Sequence, residues 1–159
     1  MTAPRADYNA YGKSVMRAAV GAAYHDTGPE VTVRYEAGPS AHLDGWISTL
    51  DVAVEIESRV DKQVRGALMD LVCHRAPRKL VVLIQGHMSD VWETAKQCVT
   101  ILTRFVLPAN IQVVVLQGTP ANQLVDDDAE RIRNALAIWT TPSAPDATRK
   151  TTGTLQRGS

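Results

Sequence analysis

Cysteine is scarce in this 159-residue chain: Cys73 and Cys98 lie 25 positions apart and form no Cys-x-x-Cys pair. A disulfide scaffold and a thiolate zinc site are therefore excluded. Each cysteine falls inside an apolar helical pattern, which marks both as small buried residues in a reducing compartment. Net charge is absent too, with 17 Lys and Arg against 17 Asp and Glu. That excludes a uniformly basic nucleic-acid coat and leaves only a local patch open. No apolar run approaches the roughly 18–20 residues that span a bilayer. The stretch from Met1 to Tyr11 lacks the apolar core of a secretory signal. The expectation is a cytoplasmic protein with no membrane partner. The four histidines are scattered, no glycine-rich phosphate loop surrounds Gly86-His87, and no Ser-His-Asp or nucleophilic-cysteine setting is visible. No internal repeat occurs.

What is present fits one globular domain: 45% hydrophobic and 21% charged residues, in a chain long enough to bury a core without staples. The domain is expected over residues 1–140. The remainder, 141–159, turns to Thr, Pro, Gly, Ser and Ala and reads as a flexible tail. Tyr8, Tyr11, Val15, Ala18 or Ala19, and Ala22 recur at helical spacing, up to the stop at Gly28-Pro29. Val31, Val33 and Tyr35 alternate as a half-buried strand. A short strand follows over about His42 to Ile47, then a third from Asp51 to Glu57. Ser58 and Asp61 have capping-box spacing ahead of a helix burying Val64, Leu68, Leu71 and Val72. Leu80–Ile84 and Ile111–Leu116 read as strands buried on both faces. Ser89 or Asp90 caps a helix between them, carrying Val91, Ala95, Cys98, Val99, Leu102, Phe105 and Val106. Asp126-Asp-Asp128 opens the last helix, through Ile132, Leu136 and Trp139. The order is α-β-β-β-α-β-α-β-α, an α/β protein. Its mixed central sheet has about five strands with helices on both faces.

The chemistry concentrates in Asp44, Glu55 and Glu57. Residues two apart in a strand share a face, so Glu55 and Glu57 project together while Val52, Val54 and Ile56 turn into the core. A strand that presents carboxylates on one face is either open to water or holds a cation there. Hard divalent cations take oxygen ligands and keep several waters. Asp44, Glu55 and the Ile56 carbonyl could supply such a set for Mg²⁺ or Mn²⁺, with a substrate phosphate completing the shell. Gly45 permits close backbone approach. The helix that starts after Ser58 points its N-terminus at the same place.

These residues, in this order of elements, resemble the PD-(D/E)xK nuclease superfamily, whose fold is restriction-endonuclease-like. The resemblance covers about residues 7–117. It implies that Asp44 and Glu55 bind metal and that Glu57 stands at the family's lysine position, a Glu-x-Glu variant in which the last carboxylate positions water or a second metal. Lys62, on the next helix, is the candidate for the lysine role. Arg59, Gln63 and Arg65 are candidates for holding phosphate. Leu43 replaces the proline common before the aspartate. For the acid many members carry on the first helix, this chain offers only Asp7 and Asp26. The function implied is a metal-dependent DNA endonuclease, of restriction, repair or mobile-element type, leaving a 5′-phosphate and a 3′-hydroxyl. A homodimer or a larger protein complex is the expected assembly. The departures motivate a second reading, a catalytically inactive module of the same fold that binds DNA or a protein.

Between Arg59 and Lys79, six basic residues (Arg59, Lys62, Arg65, Arg75, Arg78, Lys79) face two acids, Asp61 and Asp70, a local excess that could hold a polyanion or simply solvate a helix. Asp126-Asp-Asp128 is read as complementing the helix dipole rather than as a cation site. His42 and Trp46 share the Asp44 face, as site neighbours or as packing.

Overall fold

The computed structural model describes residues 7–36, 38, 40–59 and 61–141. The expected tail lies outside the described residues from position 142 onward.

A mixed sheet of five strands forms the centre, in the order β1-β4-β5-β6-β7. The strands are β1 (Tyr24–His25), β4 (Gly45–Ile47), β5 (Val52–Glu57), β6 (Arg78–Ile84) and β7 (Ile111–Leu116). β1, β4 and β5 pair antiparallel; β5, β6 and β7 run parallel. Two further short strands, β2 (Thr32–Val33) and β3 (Ala41–His42), make a separate antiparallel ribbon. Among the described residues there are four α-helices: α1 (Tyr8–Val20), α2 (Asp61–Cys73), α3 (Val91–Leu102) and α4 (Val125–Thr140). None is long and apolar enough to cross a membrane.

Strand alternation sorts the core into two halves. Val52, Val54, Ile56, Leu80, Val82 and Ile84 pack with Tyr11, Val15, Met16, Ile132 and Leu136 from α1 and α4. Ala53, Val81 and Leu83 face the other way, onto Val64, Leu68, Leu71, Cys98 and Leu102 from α2 and α3. The α/β class, the mixed five-stranded sheet and the helices on both faces are as the sequence leads one to expect.

The first strands depart from expectation. The edge of the main sheet is Tyr24–His25, inside the stretch read as helix and its exit. α1 stops at Val20, where Gly21 takes φ 59°. Val31 and Val33 are buried, but Val31 closes a 3-10 turn (Pro29–Val31) and Val33 lies in the outlying ribbon rather than the main sheet. The single strand expected from His42 to Ile47 is broken: His42 belongs to the ribbon and Gly45 to the sheet. Asp44 sits at the break. β5 is buried along its whole length, glutamates included: α2 covers the carboxylate face, which the sequence left as either open to water or holding a cation. β7 is an edge strand, with Gln112 and Val113 only partly buried. Cys98 is buried but Cys73 is exposed, since the last turn of α2 turns it outward. Val99 and Phe105 are also exposed rather than packed. α2 begins at Asp61, three residues beyond Ser58. Asp90 does cap α3, accepting from the Trp92 and Glu93 amides.

Two close approaches set the site. α1 lies against β5 at Gly12, where an added Cβ would come within 2.4 Å of Ile56 Cγ2. That contact brings Tyr8 and Asn9, one turn earlier, over the carboxyl end of β5. At Gly45, a Cβ would lie 2.1 Å from the Tyr24 ring. The ring therefore seats directly on the backbone beside Asp44.

Candidate active site

A cleft of about 580 Å³ opens at the carboxyl ends of β5 and β6. Ligands favour this end of parallel strands. Asp44, Glu55, Ile56, Glu57 and Arg59 line it from the sheet side, Gln63, Gly66, Ala67 and Asp70 from α2, and Tyr8, Asn9, His42 and His87 around the mouth.

Asp44 is held from three directions. Its Oδ1 accepts from Asn9 Nδ2 at 2.6 Å and its Oδ2 from the Ile56 amide at 2.8 Å. Its carbonyl accepts from the Tyr24 hydroxyl at 2.7 Å. β4 starts only at Gly45, opposite Val54, so Ile56 has no partner strand on that edge and the Asp44 carboxylate serves its amide instead. Burial, together with Tyr24's acidic neighbours Asp44 and Asp26, raises the Tyr24 hydroxyl well above its ordinary range, so it acts as a donor at any working pH.

Glu55 is 6% exposed. Burial first, then the adjoining Asp44 carboxylate and the charges of Asp70 and Glu57, push its carboxyl up to about 11. Two carboxyls side by side in a dry site cannot both ionise unless a cation joins them. With no cation, Glu55 keeps its proton.

Glu57 is engaged differently. Its Oε1 accepts from the Ser58 and Arg59 amides at 3.0 and 2.9 Å and from Arg59 Nε at 2.7 Å; its Oε2 accepts from Arg59 Nη2 at 2.5 Å. Glu57 is 2% exposed, whereas the Arg59 side chain is 59% exposed. The guanidinium thus projects from the cleft floor on a buried carboxylate.

Of the residues expected from sequence, Asp44, Glu55, Ile56, Glu57, Arg59 and Gln63 come together here. Lys62 and Arg65 do not. Both are exposed, and Arg65 lies in a groove with Thr94, Gln97 and Ile101 on the α3 side of α2. The helical period explains this: Gln63, Gly66, Ala67 and Asp70 share one face, and positions 62 and 65 fall off it. Asp7 caps α1 by accepting from the Ala10 amide, and Asp26 pairs with Lys13 and Arg17. Neither lines the cleft. Sequence reasoning missed Asn9, Tyr8, Asp70 and His87. Asn9 and Tyr8 sit at helical spacing from Gly12, the one available signal. Asp70 accepts a short hydrogen bond from the Tyr35 hydroxyl.

The basic excess of residues 59–79 is not a patch. Arg75 pairs with Glu30 and lies over Trp46. Arg78 donates to the Leu50 carbonyl. Lys79 is buried and donates to the His74 carbonyl at 2.7 Å; burial lowers it to about 8. All three lie at the opposite end of the sheet from the cleft. Trp46 is a packing residue, its Nε1 donating to Asp51 Oδ1.

Among the described residues no three His, Cys, Asp or Glu side chains gather as a ready-made metal cage. The donor set nonetheless suits a hard cation: two adjoining carboxyls, one of which retains its proton for want of a counter-charge. The Ile56 carbonyl projects to the same strand edge as the amide bound by Asp44.

The chain matches no protein-family model, no curated protein and no solved structure.

Proposed function

We propose that the chain is a metal-dependent endonuclease of the restriction-endonuclease-like kind, hydrolysing phosphodiester bonds in DNA. The observation that carries this reading is the Asp44–Glu55 pair. Asp44 is fixed by Asn9, Ile56 and Tyr24, and Glu55 is buried against it at the carboxyl end of a parallel strand.

Asp44, Glu55 and the Ile56 carbonyl would hold Mg²⁺ or Mn²⁺. The bound ion would polarise the scissile phosphate and lower the pKa of a coordinated water. Glu57 holds Arg59 at the cleft mouth, so the guanidinium supplies the positive charge that meets a phosphate oxygen, where a lysine at position 57 would otherwise stand. Gln63 reaches the same space from α2. Water attacks phosphorus and the 3′ oxygen leaves, giving a 5′-phosphate and a 3′-hydroxyl. A cytoplasmic setting and a homodimer, or service within a larger complex, belong to the same reading.

The test is supercoiled plasmid incubated with Mg²⁺ or Mn²⁺ beside Glu55→Ala. Nicking or linearisation that needs the metal and vanishes in the variant is the expected result.

The Glu57–Arg59 fork favours a second reading, because it removes a carboxylate from metal binding. This is a non-cleaving module of the same fold that binds DNA or a protein. Under it, no plasmid is cut with either metal, and Asp44→Ala leaves Mn²⁺ affinity unchanged.

A further inference from the structure

We infer that the cleft receives a single strand of DNA, or an unpaired segment within DNA, with its sugar–phosphate backbone crossing α2 at Gly66. The inference rests on the nuclease reading and names the form of its substrate.

Gly66 lies in the middle of α2, where glycine weakens a helix relative to alanine. Nothing among the described residues requires it. An added Cβ would meet no atom within 4 Å, and the residue does not have the positive φ that favours glycine. By contrast, Gly12, Gly45, Gly86 and Gly118 each lie where a Cβ would strike a neighbouring group. A helix glycine without an internal reason, exposed on the face that lines a cleft, fits close approach of a ligand to the helix backbone. Ala67 beside it keeps the same wall low. The opposite wall is Glu55, more than nine-tenths buried and lining the same cleft. Between them the strand would pass the Asp44–Glu55 pair.

Size and the rings beside the cleft select one strand rather than two. A volume of about 580 Å³ is that of a pocket for a small ligand, roughly 300–1,000 Å³, and admits a nucleotide or two. Duplex binders grip many phosphates with Lys and Arg, but among the described residues Arg59 is the cleft-lining Lys or Arg, and it is forked on Glu57. Rings stand at the mouth instead. Tyr8 and His87 meet edge to face at 5.8 Å between centroids, and His42 is exposed on the rim. Unpaired bases are held by stacking on aromatic side chains beside a cationic group that meets the backbone, and here Tyr8 and His87 offer the rings and Arg59 the charge.

The experiment uses a fluorescein-labelled oligodeoxynucleotide, alone and annealed to its complement, with the full chain, Gly66→Leu and Tyr8→Ala. Cleavage is followed in Mn²⁺, binding by anisotropy, and folding by thermal melts. The single strand is expected to be bound and cut at least about tenfold better than the duplex. Gly66→Leu is expected to melt a few degrees higher yet weaken single-strand binding by about tenfold or more. Loss of the Tyr8 ring is expected to weaken it about tenfold. Equal cutting of duplex and single strand, or a Gly66→Leu that binds like the parent, overturns the inference and leaves the nuclease reading standing. No cleavage of either substrate sinks the nuclease reading. Anisotropy then still decides: single-strand binding lost in Gly66→Leu keeps the strand path, and no binding removes it.

Discussion

Glu55 is a carboxyl kept neutral by its surroundings, and that has a measurable consequence. Its folded pKa, about 11, lies far above the unfolded value near 4.5. The folded state therefore binds the extra proton between those values. Its stability is full below pH 4.5 and is lost as pH rises, by up to about 1.4 kcal/mol per pH unit. Glu55→Gln carries no charge to lose. In the metal-free protein it is expected to unfold at higher urea than the parent, by on the order of 1 kcal/mol at pH 5 and by several kcal/mol, at most about 5, at pH 8, while abolishing cleavage. A gain that does not grow with pH would contradict this protonation state. Gly45 is the matching steric case. Gly45→Ala must displace the Tyr24 ring, whose hydroxyl holds the Asp44 carbonyl. A loss of about 1–3 kcal/mol is expected, with weaker Mn²⁺ binding by titration. Both carboxylates of the pair were legible in the sequence as types at a spacing. The donors that orient Asp44 were not, because Asn9 is 35 residues away and nothing local links the two.

The elements meet through Asp128, read from sequence as one acid of three complementing a helix dipole. It is fully buried. Its Oδ1 accepts from the Gln117 amide at 2.8 Å; its Oδ2 accepts from the Gly118 amide at 2.9 Å and the Tyr11 hydroxyl at 2.7 Å. Burial first, then this hydrogen bond, pushes the Tyr11 hydroxyl up to about 12. One carboxylate thereby ties α4 to the end of β7 and to α1. Asp128→Ala strands three donors in two segments, Gln117–Gly118 and Tyr11, and is expected to lower unfolding free energy by about 3 kcal/mol or more; Asp127→Ala, one residue away and exposed, is expected to change it by less than about 0.5 kcal/mol. Equal effects in urea titrations would show that the capping role alone matters. Long elements were legible: β6, β7 and α4 lie where apolar runs put them, and α3 starts at its Asp90 cap, although it stops at Leu102, short of Phe105 and Val106. β1 was not, since two residues show no period, and Tyr24 is defined by what it covers, Gly45.

Charge across the molecule tells against a broad polyanion surface. The basic residues that cluster between positions 59 and 79 are divided by the fold: Arg59 at the cleft, Lys62 and Arg65 on the outer side of α2, Arg75, Arg78 and Lys79 at the far end of the sheet. A molecule of zero net charge with one cleft arginine should bind DNA with little counterion release. The slope of log affinity against log salt is expected at about −1 to −2, measured by anisotropy over a salt series. A slope steeper than about −4 would require a basic surface that the described residues do not present.

The class of fold, the order of the later elements and the carboxylates on β5 follow from local chemistry: alternation, helical period, caps and breakers act over a few residues and are written along the chain. Which carboxyl stays protonated, which basic side chain reaches the cleft and which glycine is free of its own fold are set by distance in space. The same Glu-x-Glu spacing yields a buried neutral acid in Glu55 and an arginine-paired one in Glu57, because Asp44 returns across the break after β3 to one and Arg59 folds back onto the other. Electrostatics and desolvation depend on neighbours, and those neighbours come from α1, the outlying ribbon and α2, elements brought together only when the core closes.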